Sequence, residues 1–251
     1  MCGRPKAFRT FDGGAAKLNH AVTRIRPLSP VPNNVQTPIL QMAGIGKRFP
    51  GVVALEGVDL EIRSSEIVAL IGENGAGKST LMKILGGVIE RDAGEIHLDG
   101  QAAVISSPRD ASRHGIEFIH QELSVLDNLD VAANIFLRRE PPFGGFLNLS
   151  DRRRIYSEPD VLVRKLGLDI SSRTPLSRLS IAQQQLVEIA RALSAGARII
   201  IMDEPTSSLT LSETRRLLDI VHDLKSQNVS IIYISHRLHE VEEIADRAVV
   251  L

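Results

Sequence analysis

The sequence predicts an α/β fold with a mostly parallel sheet, a small antiparallel β subdomain and an inserted helical subdomain. Three observations carry that expectation. Apolar runs of strand length recur at 67–71, 116–119, 198–203, 229–235 and 247–251, and strands apolar on both faces belong inside a parallel sheet. Helical patterns at 80–85, 211–225 and 237–245 fall between such runs. A charged, mostly helical stretch over about 126–180 interrupts the alternation, as a subdomain inserted at the sheet's edge would.

Taken in order, residues 1–36 carry Arg4, Lys6, Arg9, Lys17, Arg24 and Arg26 against the single acid Asp12, and they run into a Pro-rich stretch. They show no apolar period and are expected to form a basic, disordered arm. An Arg-rich, acid-poor composition also fits a targeting segment, although the apolar core of a secretory signal is missing. The folded domain is expected over 37–251. Runs at 39–43, 52–55 and 58–62 read as strands of the small sheet. Within the insertion, 131–139 and 160–166 read as helical, and Pro159 is expected to break a helix. Asp151-Arg152-Arg153-Arg154 reads as a solvated helix face rather than a nucleic-acid patch.

Composition removes several classes. With 251 residues, 43% of them hydrophobic, the chain can bury a sizeable core, which excludes wholesale disorder. Thirty basic residues against thirty acidic ones argue against a broad phosphate-backbone surface. The lone Cys2 permits neither an internal disulfide nor a cysteine metal cluster. Every apolar run is far shorter than the roughly 20 residues of a spanning helix, so a membrane link must go through a partner.

The most specific signal is Gly72-Glu73-Asn74-Gly75-Ala76-Gly77-Lys78-Ser79-Thr80, which matches G-x-x-x-x-G-K-[ST] between an apolar strand and a helix. This is a P-loop, and the fold expected around it is that of a P-loop NTPase. Glycines let successive N–H groups turn toward phosphate oxygens, and the helix N-terminus adds about half a positive charge. Lys78 would reach the β- and γ-phosphates, and Ser79 would place its hydroxyl on Mg2+.

A second acidic element closes the apolar run at 198–202 with Asp203-Glu204-Pro205. Strand ends of a parallel sheet line the ligand crevice, which would bring Asp203 beside the phosphate loop to hold Mg2+. Glu204, pointing another way, would polarise an attacking water. No N-K-x-D tetrapeptide for guanine occurs.

Four further elements follow in fixed order: Ile119-His120-Gln121-Glu122, Leu179-Ser180-Ile181-Ala182-Gln183-Gln184-Gln185, Ser207-Ser208-Leu209-Thr210 and Tyr233-Ile234-Ser235-His236-Arg237. With the two nucleotide motifs, this series resembles the ATP-binding cassette (ABC) ATPases over 39–251. Its wording is similar to the first cassette of the ATPase subunit of bacterial ribose, xylose and galactose importers. The resemblance implies ATP and Mg2+ as cofactors. It implies that Phe49 stacks on adenine, that Gln121 contacts Mg2+ and the lytic water, and that His236 touches the γ-phosphate. Ser180 and Gln183 would close on ATP held by a second cassette, while residues 72–80 hold this chain's own nucleotide.

The chain departs from that family at three places. Ile181 and Ala182 replace the two glycines of L-S-G-G-Q, so the two composite ATP sites are expected to be unequal. Ser180 and Gln183 also satisfy a helix capping box, a local role compatible with the family one. Ser65 stands where the family usually has glycine. The expected partners are membrane-spanning permease subunits, a second cassette in trans or in a missing C-terminal half, and, indirectly, a periplasmic sugar-binding protein; no nucleic acid is expected. The expected location is peripheral, on the cytoplasmic face of the cell membrane. Relatives continue past the motif ending at Leu251, so the cassette is expected to be C-terminally incomplete. Competing expectations are a soluble ABC ATPase acting on nucleic acid or the ribosome, and an inactive truncated fragment.

Overall fold

A computed structural model describes residues 37–137 and 152–251. The basic arm at 1–36, with Cys2, and the side chains of the charged run at 151–154 lie outside the described residues. In chain order the elements are β1 (Leu40–Phe49), β2 (Val52–Ile62), β3 (Ile67–Ile71), α1 (Lys78–Leu85), β4 (Ala93–Leu98) and β5 (Gln101–Ala102). Then come α2 (Pro108–Arg113), β6 (Ile116–Ile119), α3 (Val131–Ile135), α4 (Arg152–Lys165) and α5 (Ile181–Ser194). The last are β7 (Ile199–Asp203), α6 (Leu211–Ser226), β8 (Ser230–Ile234), α7 (Leu238–Ile244) and β9 (Arg247–Val250).

Five strands form a parallel sheet in the order β6-β7-β8-β3-β9, and β2-β1-β4-β5 form an antiparallel one. The α/β expectation holds, and its physical basis is visible strand by strand. Alternate residues of each central strand enter two different cores. Val68, Leu70, Ile199, Ile201, Ile232 and Ile234 pack with α1 and the antiparallel sheet. Ile67, Ile200, Met202, Ile231 and Tyr233 pack with α3, α5 and α6. Both faces are covered, so these strands read as unbroken apolar runs rather than alternating ones.

Differences from the expected elements have local causes. The runs 52–55 and 58–62 are one strand, β2, carried through a positive φ of 63° at Gly57 with shifts in its register against β1. The strands β4 and β5 lie outside the expected set, since neither carries a distinctive apolar run. Pro159 does not break a helix: α4 runs through it. The proline is buried, and that burial offsets the one ladder bond its missing N–H gives up. Ser65 keeps a left-handed φ of 57°, the conformation glycine would favour. Its N–H donates to Ser230 Oγ at 3.0 Å and its hydroxyl to Asn228 Oδ1 at 3.2 Å, which offsets the strain.

Candidate nucleotide site

The loop after β3 folds as the glycines require. Gly77 caps α1 at φ 98°, and a Cβ there would lie 2.7 Å from the Ala54 carbonyl oxygen and 2.6 Å from a Leu55 methyl. Gly75 has φ 88° but open space around its Cα. Alanine at either position incurs backbone strain of about 1–3 kcal/mol; only at Gly77 does it also overlap backbone. Gly77→Ala is therefore expected to melt below Gly75→Ala in thermal denaturation, and equal midpoints would contradict this packing.

Lys78 Nζ donates to the carbonyls of Gly72 at 2.7 Å and Glu73 at 2.9 Å, so its ammonium lies inside the curve of the loop. Ser79 is exposed and Thr80 half-buried at the first turn of α1; Glu73 and Asn74 are exposed at the loop's rim, with Ala76 between them and the helix. The helix N-terminus behind these groups makes the loop electropositive.

The loop's neighbours follow from strand register. Leu70 of β3 lies opposite Ile234 of β8, and Ile234 lies opposite Asp203 of β7. The loop, His236 and the carboxylates thus leave adjacent strands at the same edge. Glu204 adopts a left-handed φ of 45°, and its N–H donates to Ile234 O at 2.9 Å. That turn sends its side chain to His236, with Oε1 3.0 Å from Nδ1. A non-glycine residue held in this conformation is strained, and strain of this kind collects at working sites.

Charges converge here. Burial, then the charge of Glu204, pushes the Asp203 carboxyl above its ordinary range, while His120, Lys78 and Lys83 oppose the rise. His120 stacks on Phe118 with centroids 4.3 Å apart, and burial lowers its proton affinity. The donor set suits a hard cation: the Ser79 hydroxyl and the Asp203 carboxylate both offer oxygen. Among the described residues no group of three or more His, Cys, Asp or Glu could hold a metal alone. A cation here would have to share its coordination with phosphate oxygens, the habit of Mg2+.

Not every expected residue joins this cluster. Phe49 sits at the tip of the β1–β2 hairpin, 42% exposed, with Lys47 Nζ 5.7 Å over its ring. Lys47 pairs with Leu55, whose methyl abuts Gly77, so the hairpin leads to the loop. Gln121 is exposed just beyond β6. Ser180 and Gln183 are each other's partners: Ser180 N–H donates to Gln183 Oε1 at 2.9 Å, and Gln183 N–H to Ser180 Oγ at 3.3 Å. They cap α5 beside a cavity that Leu209 and Glu213 also line. Ile181, the first residue of α5, is 51% exposed.

Sequence reading missed a clamp near Gln121. The N–H of Ser124 donates to Glu188 Oε1 at 2.8 Å, its carbonyl accepts from Arg191 Nη1 at 2.7 Å, and Arg191 Nη2 donates to Glu188 Oε1 at 2.9 Å. A carboxylate within the otherwise apolar stretch of α5 at 186–190 was the available signal. Burial raises the Glu188 carboxyl's affinity for its proton despite Arg191, and Glu188 Oε2 has no partner. The folded chain therefore holds that proton to higher pH than the unfolded chain, and stability falls as pH climbs from the unfolded value toward the raised one. Glu188→Gln is expected to melt with the parent near about pH 4 and above it at pH 7. A constant gap across that range would contradict the assignment.

The ABC transporter family model matches residues 55–207. A provisionally named ribose/galactose/methyl galactoside import ATP-binding protein of Burkholderia ambifaria is 52% identical over 225 residues, covering 90% of this chain and 43% of that protein. A ribose import ATP-binding protein of Rhodopirellula baltica is 52% identical over 213 residues, covering 85% and 41%. The chain thus spans less than half the length of these curated relatives. Among solved structures, the ADP conformation of an ATP-binding cassette of an ABC transporter superposes with a TM-score of 0.76 at 26% identity, over 86% of this chain and 88% of the other. Motif order, strand topology and sequence identity converge: the chain belongs to the ABC transporter family.

Proposed function

We propose that this chain binds ATP with Mg2+ and hydrolyses it to power monosaccharide import, as a cassette docked on membrane-spanning permease subunits. The observation that carries the reading is the Glu204–His236 pair at 3.0 Å, just beyond β7 and β8, with β8 beside the strand β3 that feeds the Lys78 loop. Import of a sugar is supported by what the relatives are called. Attachment in this reading is peripheral, at the cytoplasmic face, through the permease subunits; the described residues contain no helix long and apolar enough to cross a membrane.

In this reading the loop N–H groups, the N-terminus of α1 and Lys78 bind the phosphates by charge, and Phe49 covers the adenine. Ser79 and Asp203, with Gln121 from the exposed segment after β6, would hold Mg2+, which would supply positive charge against that building up on the phosphate oxygens. Glu204 accepts the proton of the attacking water, and His236 keeps Glu204 aligned while facing the γ-phosphate. Ser180 and Gln183 act on ATP held by a second cassette, supplied in trans or by a C-terminal half. Ile181 and Ala182 put Cβ atoms where glycines would admit close backbone approach, which makes the two composite sites unequal. A periplasmic sugar-binding protein acts only through the permease, and no nucleic acid is involved.

Calorimetric titration with ATP and GTP, with and without Mg2+, and sugar uptake by cells lacking the coding sequence test the proposal. Mg2+-dependent preference for ATP and lost monosaccharide uptake are expected. Equal binding of GTP, or unchanged uptake of every monosaccharide tried, overturns it.

A further inference from the structure

Glu240, on α7, is completely buried, a position that costs a carboxylate several kcal/mol unless donors surround it. Both of its oxygens lie 2.9 Å from Thr206 Oγ1. Oε2 also accepts from Tyr233 OH at 2.9 Å and Ser235 Oγ at 3.2 Å, and Oε1 from Arg237 Nη1 at 3.2 Å. Burial and the charge of Glu240 keep the Tyr233 phenol protonated and hence a donor. Arg237 N–H in turn donates to Ser235 Oγ at 3.0 Å.

The placement of these donors in the chain is selective. Thr206 lies two residues beyond Glu204, and Ser235 and Arg237 flank His236. The two segments that present Glu204 and His236 therefore meet on one buried carboxylate, behind the pair and away from solvent. A staple needed only for stability would have no reason to bind both segments within two residues of the reacting groups.

We infer that Glu240 is a positioning residue that sets the Glu204–His236 geometry from beneath, by binding the segment after β7 and the segment after β8 at once. The inference rests on the reading of the chain as an ATP hydrolase. It predicts that loosening Glu240 misplaces the pair without touching the loop that binds nucleotide, and misplacement of about 1 Å costs on the order of 10²-fold in rate.

The test compares Glu240→Gln with Tyr233→Phe, which removes one donor and leaves the carboxylate. In Glu240→Gln, ATP affinity is expected to stay within about twofold of the parent while the turnover number falls about 10²-fold. Tyr233→Phe is expected to give a smaller fall in turnover at unchanged affinity, and it carries the test should Glu240→Gln fail to fold. Added to Glu204→Gln, either change is expected to cost no further rate, because the group it serves is gone. The His236 ring resonances in NMR spectra of the nucleotide-free variants are expected to move as they do in Glu204→Gln. Unmoved ring resonances, losses that add to that of Glu204→Gln, or parallel losses of affinity and turnover overturn the inference. The NMR arm needs no catalysis, so absence of ATPase activity in the parent chain assembled with its second cassette refutes the proposed function and leaves the positioning role decided by the resonances.

Discussion

Glu204→Gln is expected to leave ATP bound and to lower the rate of phosphate release about 10²- to 10⁴-fold, the range that a positioned general base contributes. Glutamine keeps the shape of the side chain, can hold the same left-handed backbone at φ 45° and can still reach His236. What it lacks is a basic oxygen. The substitution also removes the neighbouring charge that helps push Asp203 upward, so affinity for Mg2+ and ATP should hold or rise. Single-turnover phosphate release measured beside filter binding of ATP separates the two effects. Normal release would reject Glu204 as the base.

Lys78→Ala is expected to weaken ATP binding by about 2–5 kcal/mol, roughly 30-fold to several-thousand-fold, as loss of a buried charged partner does. The ammonium already sits between the Gly72 and Glu73 carbonyls, so the substitution removes the loop's own tie as well as its attraction for phosphate. Because those carbonyls remain near solvent, the melting temperature should change little. Lys78→Arg is not expected to rescue binding, since a planar fork does not fit a space shaped around a point charge. Calorimetric titration and circular-dichroism melting check both statements, and unaltered turnover in Lys78→Ala would remove the loop from the site.

Much of this was legible in the residues. The central strands announce themselves because both of their faces are buried, and the P-loop because glycine, lysine and serine are each needed at one place. The pairing of Glu204 with His236 was not legible: the two lie 32 residues apart, and only the register of β7 against β8 sets them side by side. Glu240 and Glu188 were overlooked for a related reason. Each looks like an ordinary helix-surface acid until the packing shows that its face of the helix is turned inward. The spacing of Glu240 with buried Val241 and Ile244 was a usable sign, whereas nothing local distinguished Glu188 from a solvated acid except its apolar neighbours. β4 and β5 are not legible because β4 buries only alternate residues, Ile96 and Leu98, and β5 is two exposed residues, so neither carries a continuous apolar run.

The clamp on Ser124 has a mechanical consequence. The helix that grips it, α5, is 14 residues long, about 21 Å at 1.5 Å per residue, and carries Ser180 at its head. Such a helix resists bending and acts as a beam. The grip at Glu188 and Arg191 lies some 12 Å from that head, and three residues before Ser124 stands Gln121. A displacement of the Gln121 segment would therefore pull on α5 through Ser124 and be carried along the helix toward Ser180.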